Sequence, residues 1–335
     1  MRNKTFISSM VGIAAAAAVA GSASAGYWDA FSTTWLPSGA QSGTLAGTVD
    51  GQNGWTTRDA FLSSTTVGKW DQQVMNVNDA NGNRNVFRMS NAIASSTYSP
   101  QVFSATSGQV AGETNAALWN NRGTNGSLPL SPAQYGAYAA TNTFYSKVAF
   151  RSATGAAQSG LALTLSASSK QSAVRMSWLQ LQDTGSGFNL NVIESLGSTG
   201  VGNFSFTTAT AVASGLSYTD LHTIEMGITF VDGVTNVGGT VFGNDVLQIW
   251  LNGALIHTGS TWESYYYNNE RITAGTPRLQ AVDSMLFRVS GTAATGTSGN
   301  GFYFEDFAIG NTIVPAPGAL ALLGVAGLVG GRRRR

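Results

Sequence analysis

The stretch "DVLQIWLNGALIHTG", residues 245–259, determines the fold prediction. Hydrophobic and polar side chains alternate on both sides of Asn252-Gly253, and a period of two is typical of a β-strand with one buried face. Asn-Gly is favoured in two-residue type I′ turns, where both central residues take positive φ. The stretch therefore predicts a β-hairpin that turns at Asn252 and Gly253.

The same alternation recurs along the rest of the chain. It places hydrophobic residues on one face of two further segments, namely Leu161, Leu163 and Leu165 in "GLALTLSAS" and Phe188, Leu190 and Val192 in "GFNLNVIES". In "VRMSWLQLQD" it predicts Val174, Met176 and Trp178, or its neighbours, on the buried face. Gly, Asn and Ser separate these segments and helix signals are nearly absent, so we expect an all-β protein built as an antiparallel β-sandwich.

The body also resembles a known fold family. The segments "HTIEMGITF", "DVLQIWLNGALIHTG" and "FYFEDFAIG" look like the last strands of concanavalin A-like (laminin-G-like) jelly rolls. The segments "VDGQNGW" and "NVFRMSNAIASSTYSPQVFS" look like the N-terminal part of sandwich domains in PEP-CTERM proteins of environmental bacteria. The resemblance implies one jelly-roll domain over residues 26–312.

The N-terminus has the parts of a secretory signal peptide. Arg2 and Lys4 precede an apolar run, and Ala23-Ser24-Ala25 follows it. A basic region, a short apolar region and an A-x-A site in this order predict cleavage after Ala25 and delivery to the secretion machinery. The alternative is an ordinary N-terminal helix.

The C-terminus, "IVPAPGALALLGVAGLVGGRRRR", predicts a short membrane anchor over residues 313–335. Residues 318–331 lack polar side chains, and a helix of this length would measure about 21 Å against a hydrocarbon core of ~30 Å. Flanking residues and snorkelling arginines can make up the difference. The basic cluster resists translocation and consists of Arg332, Arg333, Arg334 and Arg335.

This tail resembles the PEP-CTERM class of bacterial sorting tails. The matching motif is Val314-Pro315-Ala316-Pro317, followed by the apolar helix and the arginines; Ala316 stands where the family usually has Glu. The resemblance implies an exosortase-type membrane sorting enzyme as partner, a transient transmembrane helix, and bacteria that make exopolysaccharide. A plain C-terminal anchor without processing is the alternative.

Composition excludes several classes of function. Removing Arg2, Lys4 and the four terminal arginines from the 18 basic residues leaves 12 against 17 acidic residues, a net charge of −5. No basic stripe remains for nucleic acid. Cysteine is absent, which excludes disulfides and thiolate metal sites.

Catalytic motifs are not found in the sequence. Jelly-roll glycoside hydrolases need two carboxylates facing one sugar, whereas Glu194 and Glu225 stand alone and Glu305-Asp306 are adjacent. His222 and His257 do not have metal-ligand spacing. We therefore expect no catalytic residues, with a glycan-active enzyme, a hydrolase or a lyase, as the alternative.

Two segments contain candidate binding residues. In "DANGNRN", the oxygen-bearing residues Asp79, Asn81 and Asn83 alternate partly as in a calcium loop, although a hairpin turn explains them as well. In "TWESYYYNNER", aromatic residues lie beside amides and acids as in glycan contacts, or they cover a strand at the edge of the sandwich. These aromatic residues are Trp262, Tyr265, Tyr266 and Tyr267.

Together these features predict an exported cell-surface or extracellular-matrix protein. Its expected role is non-enzymatic, either structural or glycan-binding, with exopolysaccharide as a candidate partner.

Overall fold

The computed structural model describes residues 27–29, 55–59, 71–79, 82–94, 100–104, 110–112, 141–169, 174–200, 202–270, 281–289 and 292–313. Strands are numbered in chain order. The first seven are β1 (Tyr27–Asp29), β2 (Thr56–Asp59), β3 (Gln72–Asp79), β4 (Gly82–Met89), β5 (Pro100–Phe103), β6 (Ala111–Gly112) and β7 (Thr143–Ser152). The next seven are β8 (Ala162–Ser168), β9 (Leu179–Asp183), β10 (Phe188–Val192), β11 (Ser195–Gly200), β12 (Asn203–Phe206), β13 (Thr210–Leu216) and β14 (His222–Thr229).

The remaining strands are β15 (Thr235–Val237), β16 (Thr240–Phe242), β17 (Val246–Leu251), β18 (Ala254–Ser260), β19 (Ala281–Val282), β20 (Ser284–Arg288) and β21 (Phe302–Gly310). Helical structure in the described residues is limited to three short pieces. These are α1 (Glu263–Tyr265), a π-helical turn that continues it (Tyr266–Glu270), and a 3₁₀ turn (Thr295–Thr297).

Two large sheets form the body. Sheet A has eight strands in the order β18-β17-β14-β7-β21-β4-β3, with β1 also paired to β21. Sheet B has seven strands in the order β13-β10-β9-β8-β20-β5-β2. A four-stranded sheet (β12-β11-β16-β15) and a two-stranded one (β19-β6) complete the described strands. Neighbouring strands pair antiparallel, which confirms the predicted all-β antiparallel architecture.

One hydrophobic core lies between the two large sheets. Phenylalanine rings contact each other across it: Phe150 of sheet A lies 6.1 Å from Phe188 of sheet B, and Phe304 lies 4.9 Å from Phe287. The predicted inward faces are confirmed, because the following residues are all buried: Leu161, Leu163, Leu165, Phe188, Leu190 and Val192. Alternation therefore sets which face of each strand enters the core.

The predicted hairpin at Asn252-Gly253 is also confirmed. Leu251 lies opposite Ala254, so the loop has two residues. Both take positive φ, 50° at Asn252 and 80° at Gly253, as a type I′ turn requires.

The face prediction for "VRMSWLQLQD" is confirmed, with Leu179, a neighbour of Trp178, at the inward position. Val174, Met176 and Leu179 are buried in the core, and Trp178 is half-buried and packs against the core. The regular strand begins only at Leu179, because the Ser177 hydroxyl accepts the hydrogen bond of the Ala167 amide at 2.9 Å. The side chain thus takes the place of a backbone acceptor, and the alternation shifts by one residue.

Strand β21 is flanked along both sides. It pairs with β7 from Phe302 to Gly310 on one side. On the other side it pairs first with β4 and then with β1, where Ile309 lies opposite Tyr27. The change of partner coincides with a β-bulge, in which Asp306 has a φ of 46°.

Both predicted membrane-targeting segments lie outside the described residues. This applies to the signal cleavage residues Ala23 and Ala25, to Val314, Pro315, Ala316 and Pro317, and to Arg332, Arg333, Arg334 and Arg335. Among the residues that are described, no helix has the length and hydrophobicity needed to cross a membrane.

Candidate functional site

The outward face of sheet B carries a row of polar residues. Cross-strand pairing places Gln101 opposite Arg288, Arg288 opposite Thr164, Thr164 opposite Gln180, and Gln180 opposite Asn191. At ~4.8 Å between neighbouring strands, the row is about 19 Å long. We call these five residues the polar row.

Strand alternation produces this row. Leu179 and Leu181 of β9 point into the core, so Gln180 and Gln182 must point outward. In β10, Leu190 and Val192 point inward and Asn191 points outward for the same reason. Because the hydrophobic residues of each strand face the core, its alternate polar residues must face outward.

Hydrogen bonds hold part of the row in place. The Asn191 amide donates to Gln180 Oε1 at 3.1 Å and to Gln182 Oε1 at 3.0 Å. The Thr164 hydroxyl donates to the Arg288 carbonyl at 3.2 Å. The amide and hydroxyl groups thus form an ordered set of hydrogen-bond donors and acceptors. Gln180 is half-buried, and the other four residues of the row are buried.

Other polar atoms on this face lack a partner. Gln101 and Ser166 are 4% and 1% exposed, yet Gln101 Oε1 and Ser166 Oγ make no hydrogen bond in the described part of the structure. A buried polar atom without a partner costs about 1–3 kcal/mol. Gln101 Oε1 and Ser166 Oγ are therefore exceptions, because most buried polar atoms in proteins are hydrogen-bonded.

Trp178 provides an aromatic surface beside the row. Its indole stacks on that of Trp262, with a 5.1 Å centroid distance and an interplanar angle of 29°. The guanidinium carbon of Arg175 lies 4.8 Å from the Trp178 ring, and that of Arg288 lies 5.9 Å away. An indole next to hydrogen-bonding groups is a combination that suits a sugar ring.

The charged side chains described on and beside this face are arginines. The outward positions of β5, β8, β9, β10 and β20 contain no Asp or Glu, whereas β20 contributes Arg288. Arg175 lies next to them, opposite Ser168 in an isolated bridge.

The outward face of sheet A has the opposite character, because its charges are paired. Asp79 and Glu305 each contact both Arg84 and Arg151, at N–O distances of 2.5 to 3.0 Å. Asp71 contacts Arg88 at 2.7 Å. We call the first four residues the ion-pair cluster.

Burial and hydrogen bonding shift several pKa values on sheet A. Hydrogen bonds that Arg84 donates to Glu305 and Asp79 raise its pKa, against the effect of burial. Burial alone would raise the pKa of Asp71, but hydrogen bonds from Arg88, Ser90 and the Gly299 amide outweigh it, so the pKa is lowered. Burial and the hydrogen bond to Glu225 raise the pKa of Tyr145.

The predicted aromatic segment forms a helix and not a strand. Trp262 and Tyr266 are 4% and 1% exposed. The Trp262 indole donates to the Ile193 carbonyl at 2.7 Å, and the Tyr266 hydroxyl accepts from the Arg175 amide at 2.9 Å. The Tyr266 amide bonds to the Trp262 carbonyl, a local hydrogen bond that closes a helical turn.

Tyr265 and Tyr267 are half-buried, so they remain the more accessible half of the predicted glycan-contact set. Trp262, which directly precedes α1, stacks on Trp178 and so supports its indole ring. Contact between a glycan and these four residues stays a prediction.

The candidate calcium ligands lie at a hairpin turn. Asp79 pairs with Gly82 across the end of β3 and β4, and Asn83 pairs with Asn78; Asn81 lies outside the described residues. Both Asp79 carboxylate oxygens accept from Arg84 or Arg151, so Asp79 does not suit a calcium ion. No group of three His, Cys, Asp or Glu side chains with metal-binding geometry occurs within the described ranges.

Sequence reasoning missed the polar row. The repeated "LQLQ" of β9 was a usable signal, because it places two glutamines on one face. The register that aligns them with Gln101 and Arg288 depends on strand order, which no local pattern contains. In "VRMSWLQLQD" the pattern left the inward position open between Trp178 and its neighbours, and Leu179 takes it.

The chain is thus a β-sandwich in which the outward face of sheet B combines polar, aromatic and cationic side chains. No family model and no curated protein matches the chain. A structural match is a glucuronan lyase from the fungus Trichoderma reesei, with 14% identity, 78% of this chain and 96% of that chain covered, and a TM-score of 0.28.

Two further matches are similarly distant. An alginate lyase from Pseudomonas aeruginosa has 10% identity, covers 72% of this chain and 86% of its own, and has a TM-score of 0.36. The carbohydrate recognition domain of Emp46p has 9% identity, 78% and 90% coverage, and a TM-score of 0.33. Two of the three are described as glycan lyases, the class of the alternative function; at these TM-scores the matches assign this chain neither a family nor an activity.

Proposed function

We propose that this chain is an exported glycan-binding protein that binds polysaccharide along the polar row. The observation that carries the proposal is the hydrogen-bonded amide cluster of Gln180, Gln182 and Asn191 beside the half-buried Trp178. Hydroxyl groups of a sugar can donate to such acceptors and accept from the amides. The 19 Å length of the row, about four interstrand steps, suits an oligosaccharide that crosses the strands.

A glycan array with the full-length chain tests this function. Gln180→Ala should weaken glycan binding by about tenfold, since it removes one side-chain amide from the row. Gln248→Ala is the matched control, because Gln248 lies opposite Gly227 at an outward position of sheet A. Equal effects of both variants, or no glycan bound, would refute the proposal.

A glycan lyase on the same face is the second candidate. Elimination removes the proton next to a uronate carboxylate, forms a carbon–carbon double bond, and expels the glycosidic oxygen, which takes up a proton. Gln101 and Arg288 lie opposite each other and could stabilise that carboxylate. The outward positions of β5, β8, β9, β10 and β20, however, contain no His, Tyr or Lys to act as the base.

Absorbance of the unsaturated product separates these two functions. If the chain binds a polyuronate without producing ultraviolet-absorbing ends, binding stands and elimination is excluded. A glycoside hydrolase would need two facing carboxylates, and the outward positions of these five strands contain none.

Export and sorting form the second part of the proposal. We propose that an exosortase-type enzyme processes the tail at Val314-Pro315-Ala316-Pro317 and delivers the domain to the cell envelope or matrix. Mass spectrometry of the surface protein should find Gly26 at the N-terminus and no Arg335. An intact Arg335 at the surface would rule out processing, and Met1 on a cytosolic protein would rule out export.

A further inference from the structure

We propose that residues 314–317, called here the Pro-x-Pro segment, dock across the outward face of sheet A on strands β17 and β18. The partner of this surface is therefore a segment of the same chain, and an enzyme that reads the segment must first displace it. The proposal goes beyond the glycan-binding function, because it requires neither a glycan nor processing of the tail.

The described chain crosses sheet A after the end of β21. Gly310 pairs with β7, and the Asn311 carbonyl accepts a hydrogen bond from the Thr143 hydroxyl of the same strand. The side chain of Ile313 lies over β14, because its Cδ1 atom would be 3.2 Å from a Cβ atom placed on Gly227. Within three residues the chain thus advances from β21 past β7 to β14, two strands away.

Cross-strand pairing defines the positions ahead of Ile313. Gly227 lies opposite Gln248 of β17, which lies opposite Thr258 of the edge strand β18. Gly227 faces outward, since its two neighbours in β14 are buried in the core. The two steps to β18 cover about 10 Å at ~4.8 Å per strand, and three extended residues cover about the same distance. Continued at the same advance, the chain brings Ala316 to Thr258.

The surface along this path suits an uncharged segment that contains proline. Two ring atoms of Trp250, Cζ3 and Cη2, lie 3.1 and 3.2 Å from the same Cβ position on Gly227. The half-buried indole therefore lies along the sheet beside Ile313. Proline-rich segments dock on aromatic surfaces at a low cost in conformational entropy. Residues 311–331 contain no charged side chain, so docking of Pro315 on the indole removes no charge from water.

An engineered disulfide tests the docking, because the native chain contains no cysteine. The full-length double variant Ala316→Cys/Thr258→Cys, oxidised in detergent solution, should form an intramolecular disulfide. A disulfide requires Cα atoms within about 7 Å of each other. Mobility on non-reducing gels and mass spectrometry of the linked peptides measure its rate of formation.

The matched control is Ala316→Cys/Thr223→Cys. Thr223 lies at another outward position of β14, four residues from Gly227 and opposite Ala149. A tail that moves freely reaches both introduced positions, whereas a docked one reaches only Thr258. We expect the Thr258 pair to close about tenfold faster or more, because docking raises the effective concentration of its cysteines.

Trp250→Ala tests the aromatic contact. Introduced with the Ala316→Cys/Thr258→Cys pair, it should slow closure about tenfold, and urea denaturation of the reduced variant checks that the domain remains folded. If Trp250→Ala does not fold, the rates of the two cysteine pairs decide the question.

The outcomes are separate from those for glycan binding, since none of these variants alters sheet B. Equal closure rates for the two cysteine pairs overturn the docking and leave the proposed function in place. Disulfides that form only between two chains also overturn it, because the surface then binds the tail of a second copy. Closure that is unaffected by Trp250→Ala in a folded variant overturns the assignment to the indole.

Discussion

The outward faces of the two large sheets differ in how their charged side chains are paired. On sheet A, the ion-pair cluster and the Asp71–Arg88 pair match three arginines with carboxylates. On sheet B, arginines surround Trp178 while acidic residues are missing from the outward positions of β5, β8, β9, β10 and β20. Paired charges on sheet A contribute to folding, whereas Arg175 on sheet B has no carboxylate partner among the described residues.

The largest effect should follow from breaking the ion-pair cluster. Glu305 has a side chain only 6% exposed and contacts two arginines. We expect Glu305→Ala to lower the free energy of unfolding by about 3 kcal/mol, because both cations lose a buried partner. Urea denaturation measures this change.

The matched variant on the other face is Arg175→Gln, which should cost about 1 kcal/mol or less through the lost cation–π contact. If Glu305→Ala costs no more than Arg175→Gln, the cluster behaves as exposed ion pairs and the comparison fails.

Asp71→Asn should produce the next largest effect, about 2 kcal/mol at neutral pH, since it weakens charge-assisted hydrogen bonds. The pKa of Asp71 is lowered in the folded protein. Its contribution is therefore present above the usual carboxyl pKa of about 4 and is lost as the pH falls below it. Unfolding free energies measured across this range should fall less steeply for Asp71→Asn than for wild type.

Tyr145→Phe should cost about 1–2 kcal/mol, because Glu225 loses a hydrogen bond of 2.7 Å. The pKa of Tyr145 is raised in the folded state. Its contribution is present below the unfolded pKa of about 10 and falls as the pH rises above it. Wild type should therefore lose stability more steeply at alkaline pH than Tyr145→Phe; identical slopes would contradict the assigned shift.

The smallest change in stability is expected at Gln182, which is exposed. Gln182→Ala should alter the free energy of unfolding by less than about 0.5 kcal/mol. It should nevertheless weaken glycan binding about threefold, since Asn191 loses one of its two acceptors. A loss of stability without a loss of binding would mean that the polar row is structural.

The faces of most strands could be predicted from sequence because alternation is local. Leu161, Leu163 and Leu165 lie where the pattern places them, and the Asn252-Gly253 turn follows from its two residues. Trp178 could not be placed, because the phase shift depends on the contact between Ser177 and Ala167.

No local sequence pattern could predict which distant strands pair with each other. Arg84 and Glu305 are 221 positions apart, and Gln101 meets Arg288 through strand order alone. The density of aromatic residues at Trp262 to Tyr267 suggested a contact surface, whereas packing turned Trp262 and Tyr266 inward as a support. Composition identifies residues that could bind a ligand, but only register decides which of them share a face.

The double flanking of β21 has a mechanical consequence. A pull on the chain beyond Ile313, with resistance from a polymer held on sheet B, would load the hydrogen bonds to β7 on one side and to β4 and β1 on the other at the same time. Rupture in shear would have to break these bonds together, whereas an edge strand could peel away one bond after another. A protein held to its matrix under flow would benefit from that arrangement.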